Sequence, residues 1–195
     1  TLHSASLHIK DPIEVHQAVY YGKISLECAR ALKAPIMTIH SNVSKKLATH
    51  TMKQCLMDVF GEIKPFAKKL GIKLALENLS HTSTGVGENV EQLEKVLDVI
   101  DPKEEMGITF DFCHALETGE VDNLLRAYGK RICNVHMANR DHRPLMKRTP
   151  ELIHFLSRLQ DWGYSGPITL ELKPQTSIKD IAKTKIFFEK ILKEY

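Results

Sequence analysis

The chain has 195 residues, 43% hydrophobic and 26% charged, with a formal net charge of +3. This is globular composition, and the positive excess is too small to indicate nucleic acid by itself. A chain of this size buries roughly 70% of its unfolded surface around one core, so a single domain over 1–195 is expected.

No apolar run reaches the roughly 18 residues of a membrane span, and the start carries no signal peptide. The four cysteines, at 28, 55, 113 and 133, are too far apart for a zinc ribbon or a redox pair. Reduced thiols in a cytoplasmic protein are the expectation. The sequence opens at Thr1 in strand-like residues (TLHS), so the natural chain is expected to begin earlier.

Along the chain, short apolar runs alternate with longer stretches of helical period. Strands are expected at the TLH start, then at 35–40 (PIMTIH), 72–77 (IKLALE), 107–112 (GITFDF), 131–136 (RICNVH) and 167–172 (PITLEL). The internal ones are apolar on both faces, as buried parallel strands are. Helices are expected over 12–33, 50–70, 89–100, 120–129, 149–162 and 177–193. Asn89 and Thr149 serve as N-caps, and Gly71 as a C-terminal stop. Strand and helix in strict alternation mean parallel strands joined by right-handed crossovers.

Polar residues of ligand type close nearly every strand. His3, His40, Glu77, Asp111 and His136 stand at strand ends, and Glu171 stands near the end of the last one. In a closed barrel the C-terminal strand ends form one ring, so these side chains would share a pocket. Two Glu, one Asp and His form a donor set for one divalent metal, Mn, Co, Mg or Zn. Without a cation the carboxylates would repel one another and rise in pKa. Each residue also has a plainer role open to it. Glu77 could cap loop amides, Asp111 could cap the next turn, His136 could be a bonded core histidine, and Glu171 could pair with Lys173 or Arg143.

The segments LALEN (74–78), TFDFCHA (109–115), NVHMANRD (134–141) and ITLELK (168–173), at intervals of 34, 25 and 35 residues, resemble the xylose isomerase-like TIM barrels. That superfamily holds sugar isomerases, sugar epimerases and endonuclease IV. The resemblance covers nearly the whole chain. It implies a (β/α)8 TIM barrel of about 250 residues when complete, here lacking strand one and irregular at strand seven. It places Glu77, Asp111, His136 and Glu171 on the metal. Glu77 and Glu171 would be the catalytic acid–base pair, exchanging a proton through a metal-stabilised enediolate of a sugar or sugar phosphate. His114, His40, His3 and Arg143 are expected to bind substrate or a second metal, with Asn78 serving the loop after its strand.

Arg140, Arg143, Lys147 and Arg148 could meet a phosphate or simply be solvated. Gly85 and Gly87 are read as a flexible turn, and Cys113 is given no chemistry. The alternative within the resemblance is an endonuclease IV-like phosphodiesterase acting on abasic DNA with up to three zinc ions. Its DNA-contacting insertions are absent, so nucleic acid is not the expected partner. A non-catalytic relative and a homo-oligomer also remain open.

Overall fold

The computed structural model describes residues 2–3, 9–41 and 43–194. Six strands form one parallel sheet in chain order. They are β1 (Leu2–His3), β2 (Ile36–Ile39), β3 (Lys73–Glu77), β4 (Gly107–Asp111), β5 (Ile132–Met137) and β6 (Ile168–Leu170). The helices are α1 (Val15–Ala31), α2 (Thr49–Leu70), α3 (Val90–Ile100), α4 (Phe112–Thr118), α5 (Val121–Tyr128), α6 (Pro150–Asp161) and α7 (Ile178–Ile191). The described strands are six consecutive positions of a β/α barrel.

Helices α3, α4, α6 and α7 start where a side chain accepts from a free amide of the first turn. Asn89 accepts from the amide of Gln92, and the Gln92 side chain accepts in return from the amides of Gly87 and Glu88. That reciprocal cap uses orphan donors at the start of α3. It also occupies the Gly87 amide of the Gly85–Gly87 turn, whose Gly85 amide donates to the Ser83 hydroxyl. α2 ends on Gly71 at φ 70°, a left-handed conformation that glycine adopts without a Cβ penalty. α6 opens on Thr149 followed by Pro150, as expected.

Side chains alternate across each strand. One set faces the helices, where Phe110 of β4 lies 4.9 Å, centroid to centroid, from Phe155 of α6. The other set faces the barrel interior. A register shift between β4 and β5 decides which residues of β5 point inward. Ile108 pairs with Ile132, but the next pair is Thr109 with Asn134, so Cys133 is an extra residue. One inserted residue reverses the facing of everything after it, and it turns Asn134 and His136 inward. Gly107 makes room for this bulge. A Cβ there would lie 2.2 Å from the Cys133 sulfur.

Two segments differ from the sequence expectation. Helix α4 precedes α5, because Asp111 both ends its strand and caps the next turn. The irregular strand seven expected between His136 and Glu171 is a loop, and β6 pairs directly with β5 through Val135, His136 and Met137. Asp141 and His142 adopt φ 60° and 48°, which a strand does not accommodate. The loop is also too rich in Arg, Lys and Pro to be covered on both faces.

Candidate metal centre

The C-terminal ends of β3, β4 and β5, with the residue after β6, bring Glu77, Asp111, His136 and Glu171 together. One donor atom from each lies within 4.8 Å of all the others. Across a cation, donors at bonding distance of roughly 2.1 Å stand about 4.2 Å apart, so the cluster has the span of a first coordination sphere. Glu77, Asp111 and His136 are buried, while the Glu171 side chain is 35% exposed and leaves the cluster open on one side.

His136 Nδ1 is the hub, 2.6 Å from Glu77 Oε1, 2.7 Å from Glu171 Oε2 and 4.0 Å from Asp111 Oδ2. Asp111 divides its two oxygens. Oδ1 accepts the His114 amide at 2.6 Å and caps α4, and Oδ2 is buried with no hydrogen bond. Capping role and ligand role are therefore both available to the one residue. The Asn78 carboxamide holds the Asp111 backbone from both sides. It accepts from the amide at 2.8 Å and donates to the carbonyl at 2.9 Å.

A buried carboxylate oxygen without a donor is costly, and three carboxylates this close oppose one another's ionisation. Burial pushes the Asp111 carboxyl well above the usual carboxylate range, and the charges of Glu77 and Glu171 push it further. Burial alone would lower His136. The carboxylates of Glu171 and Glu77 on its ring outweigh that and raise it to about 10. Without a cation His136 thus holds a proton at neutral pH. A divalent cation fits this donor set and would replace that proton.

The sign of the pH effect follows. A raised folded pKa gives stability that is full below the unfolded value and lost as pH rises through the folded one. For His136 that window runs from 6.5 to about 10. The metal-free protein is expected to lose thermal stability with rising pH across this window. The Tm increment from saturating Mn²⁺ or Co²⁺ should grow from about pH 6 to about pH 8, because the ligands must be deprotonated. An increment that shrinks with pH would contradict this account.

His40 reaches the cluster, with Nε2 3.0 Å from Glu77 Oε2. His114 lies beside it, its Nδ1 2.8 Å from the Asn78 carbonyl oxygen. His142 points its Nδ1 at the Glu171 carbonyl oxygen, 3.0 Å away. A carbonyl only accepts, so both Nδ1 atoms carry hydrogen. The two Nε2 atoms then face each other at 3.2 Å with lone pairs opposed, unless a proton or a cation lies between them. Burial lowers the His114 pKa.

The side chain of His3 lies outside the described residues. Arg143 is not brought to the cluster. Its side chain is 72% exposed and paired with Asp141, which also takes Lys173. Arg148 pairs with Glu194. Two of the four basic residues of this loop, Arg143 and Arg148, are thus engaged by acidic partners away from the ring. Cys113 is buried and its thiol is pushed up to about 12 by that burial, which leaves it unreactive.

Inward residues two positions before the ring were missed. Thr38 Oγ1 lies 2.8 Å from Thr109 Oγ1, Asn134 Nδ2 donates to Thr38 at 3.3 Å, and Thr169 Oγ1 donates to Asn134 Oδ1 at 3.5 Å. The period of two that marks Glu77 and His136 would have found them. Threonine in a strand reads as a strand former, and so passed unnoticed.

Among known proteins, an uncharacterized protein of Methanocaldococcus jannaschii, MJ1311, is 30% identical over 191 residues, covering 89% of this chain and 62% of its own. Inosose isomerase of Halalkalibacterium halodurans is 26% identical over 176 residues, covering 82% and 62%. The chain thus spans less than two thirds of both relatives. Probable endonuclease 4 of Thermotoga maritima is 37% identical over 49 residues, a quarter of this chain and 17% of its own. The crystal structure of a D-tagatose 3-epimerase-like protein superposes with a TM-score of 0.78 at 25% identity, over 98% of this chain and 77% of that one. The family model of the xylose isomerase-like TIM barrel matches residues 1–190, in agreement with the parallel sheet and its ring of strand ends, and the chain belongs to that family.

Proposed function

We propose that this chain carries the metal centre of a sugar isomerase or epimerase, with one divalent ion held by Glu77, Asp111, His136 and Glu171. The convergence of these four donors around the buried Oδ2 of Asp111 is the observation that carries the reading. The named relatives, an inosose isomerase and a sugar epimerase-like protein, favour a polyhydroxylated small molecule with a carbonyl group. When bound, the metal supplies Lewis-acid polarisation that makes a C–H beside that carbonyl more acidic.

The protein's own groups do the rest. Glu77 and Glu171 enter from β3 and from the end of β6, so the substrate carbon lies between two carboxylates, one removing the proton and the other returning it. Glu77 is oriented by His136 and His40. The more exposed Glu171 sits on the open side, by which the substrate enters. His114, close to Asp111, is placed to hold a substrate hydroxyl. No helix among the described residues is long and apolar enough to cross a membrane, and a soluble sugar substrate asks for none.

A second reading is an endonuclease IV-like phosphodiesterase, favoured by the opposed nitrogens of His114 and His142, a natural seat for a further zinc ion. Elemental analysis of the purified protein separates the two readings. About one Mn, Co, Mg or Zn per chain is expected, and it justifies a screen of ketoses and cyclic ketones. About three zinc ions would move the assignment to phosphodiester cleavage. A protein that holds no metal and takes up none would overturn both.

A further inference from the structure

We propose that Asn134 is a positioning residue for the metal centre. Its buried carboxamide, tied to Thr38 on β2 and Thr169 on β6, sets the span across which Glu171 faces Glu77. This rests on the metal-centre reading above and adds a group that touches neither metal nor substrate.

The layer beneath the site of a β/α barrel is ordinarily filled by Val, Ile and Leu. Here it holds hydroxyls and an amide. Thr38, Thr109 and Asn134 are fully buried. Each stands two residues before an inward residue of the site on its own strand: Thr38 before His40, Thr109 before Asp111 and Asn134 before His136. Thr169 stands two before Glu171. On β3 the equivalent position is Ala75, whose small side chain lets Thr38 and Thr109 meet across it at 2.8 Å.

The carboxamide of Asn134 has a direction. Its Nδ2 donates toward β2 and its Oδ1 accepts from β6. An isosteric apolar side chain would fill the space and tie neither strand. β6 most needs the tie. It has three residues, all only partly buried, and three pairing positions on β5. Glu171 follows immediately, so any drift of β6 moves that carboxylate relative to His136. Asn134 faces the interior only because Cys133 is inserted before it, so the bulge delivers Asn134 and His136 together. Removing polar groups that hold metal ligands in place costs roughly 10–100-fold in metal affinity.

The test uses Co²⁺, whose visible absorption reports coordination geometry, titrated into the whole chain. Asn134→Leu and Thr169→Val are compared with Thr169→Ser, which keeps the hydroxyl, and with Val135→Ala. Val135 is buried on the opposite face of β5, so its truncation lowers Tm without touching the layer. The expected result is at least a tenfold loss of Co²⁺ affinity and an altered spectrum in Asn134→Leu. Thr169→Val should show the same in weaker form, and Thr169→Ser should restore near wild-type behaviour. Val135→Ala should lose Tm yet keep spectrum and affinity.

The proposal is overturned if Asn134→Leu loses Tm but binds Co²⁺ like Val135→Ala, or if Thr169→Val and Thr169→Ser are alike. Should Asn134→Leu unfold, the Thr169 pair decides alone. A wild-type chain that binds no Co²⁺ overturns the metal-centre reading itself, a different outcome from equal binding by all variants.

Discussion

Glu77→Gln is expected to weaken divalent-metal binding by about 100-fold or more. Glu77 is fully buried, with one oxygen 2.6 Å from His136 Nδ1 and the other 3.0 Å from His40 Nε2. The amide keeps the shape and removes one of three negative charges around the ion. A hundredfold loss is about 2.7 kcal/mol, a modest share of the attraction between a carboxylate and a dication in a buried site. Two effects oppose each other in the metal-free protein. The charge of Glu77 is one of the causes that raise Asp111, so its removal relieves repulsion inside the cluster. The same charge helps hold the proton on His136, and that stabilisation is lost. The signature is therefore in the metal increment: the rise in Tm on adding Mn²⁺ or Co²⁺ collapses, by more than the metal-free Tm shifts in either direction. Calorimetric titration and thermal melts read both quantities. Wild-type affinity in this variant would remove Glu77 from the metal's ligands.

The order of strands and helices could be read from the sequence because periodicity and caps are local. Asn89, Thr149 and Gly71 mark their boundaries by their own chemistry, and the structure places them where that chemistry is used. The four central donors were legible for a related reason. A charged residue closing an apolar strand is conspicuous, and barrel topology does the gathering. Three features were not legible. The bulge at Cys133 depends on which residue of β5 pairs with Thr109, a non-local choice that no window of sequence contains. Irregularity was expected at strand seven but its form was not, because Asp141 and His142 take left-handed conformations that only the folded loop reveals. His142 lies outside any strand, so nothing local linked it to His114, 28 residues away in sequence. Arg143 lies apart from the four, its flexible, exposed side chain paired with Asp141.

Asp101→Ala is expected to be the most destabilising single substitution in the molecule outside the apolar core, at about 3–5 kcal/mol. Asp101 is fully buried at the end of α3, at the opposite end of the strands from Glu77, Asp111 and His136. Its Oδ1 accepts from Lys64 Nζ at 2.9 Å and from the Glu105 amide at 3.1 Å. Its Oδ2 accepts from Arg131 at 2.7 Å and from the Met106 amide at 2.9 Å. One carboxylate thus joins α2, the turn leading into β4 and the residue before β5. Lys64 also donates to the Ile100 carbonyl, and Arg131 to that of Met106. Alanine would leave two largely buried cations without a counter-ion, together with two amides without an acceptor. A typical domain is stable by only about 5–15 kcal/mol, so the loss is a large fraction of the whole. Asp101→Asn should fall between alanine and wild type, since its amide keeps one acceptor and turns a donor toward the other cation. Denaturant melts at constant m-value measure the change. Below the lowered Tm, Co²⁺ affinity should be unchanged, because the network lies at the opposite end of the strands from Glu77 and His136. A loss under about 1 kcal/mol would mean that Lys64 and Arg131 find solvent as readily as they find Asp101. A parallel loss of metal affinity would mean that the two ends of the barrel are coupled through β4 and β5.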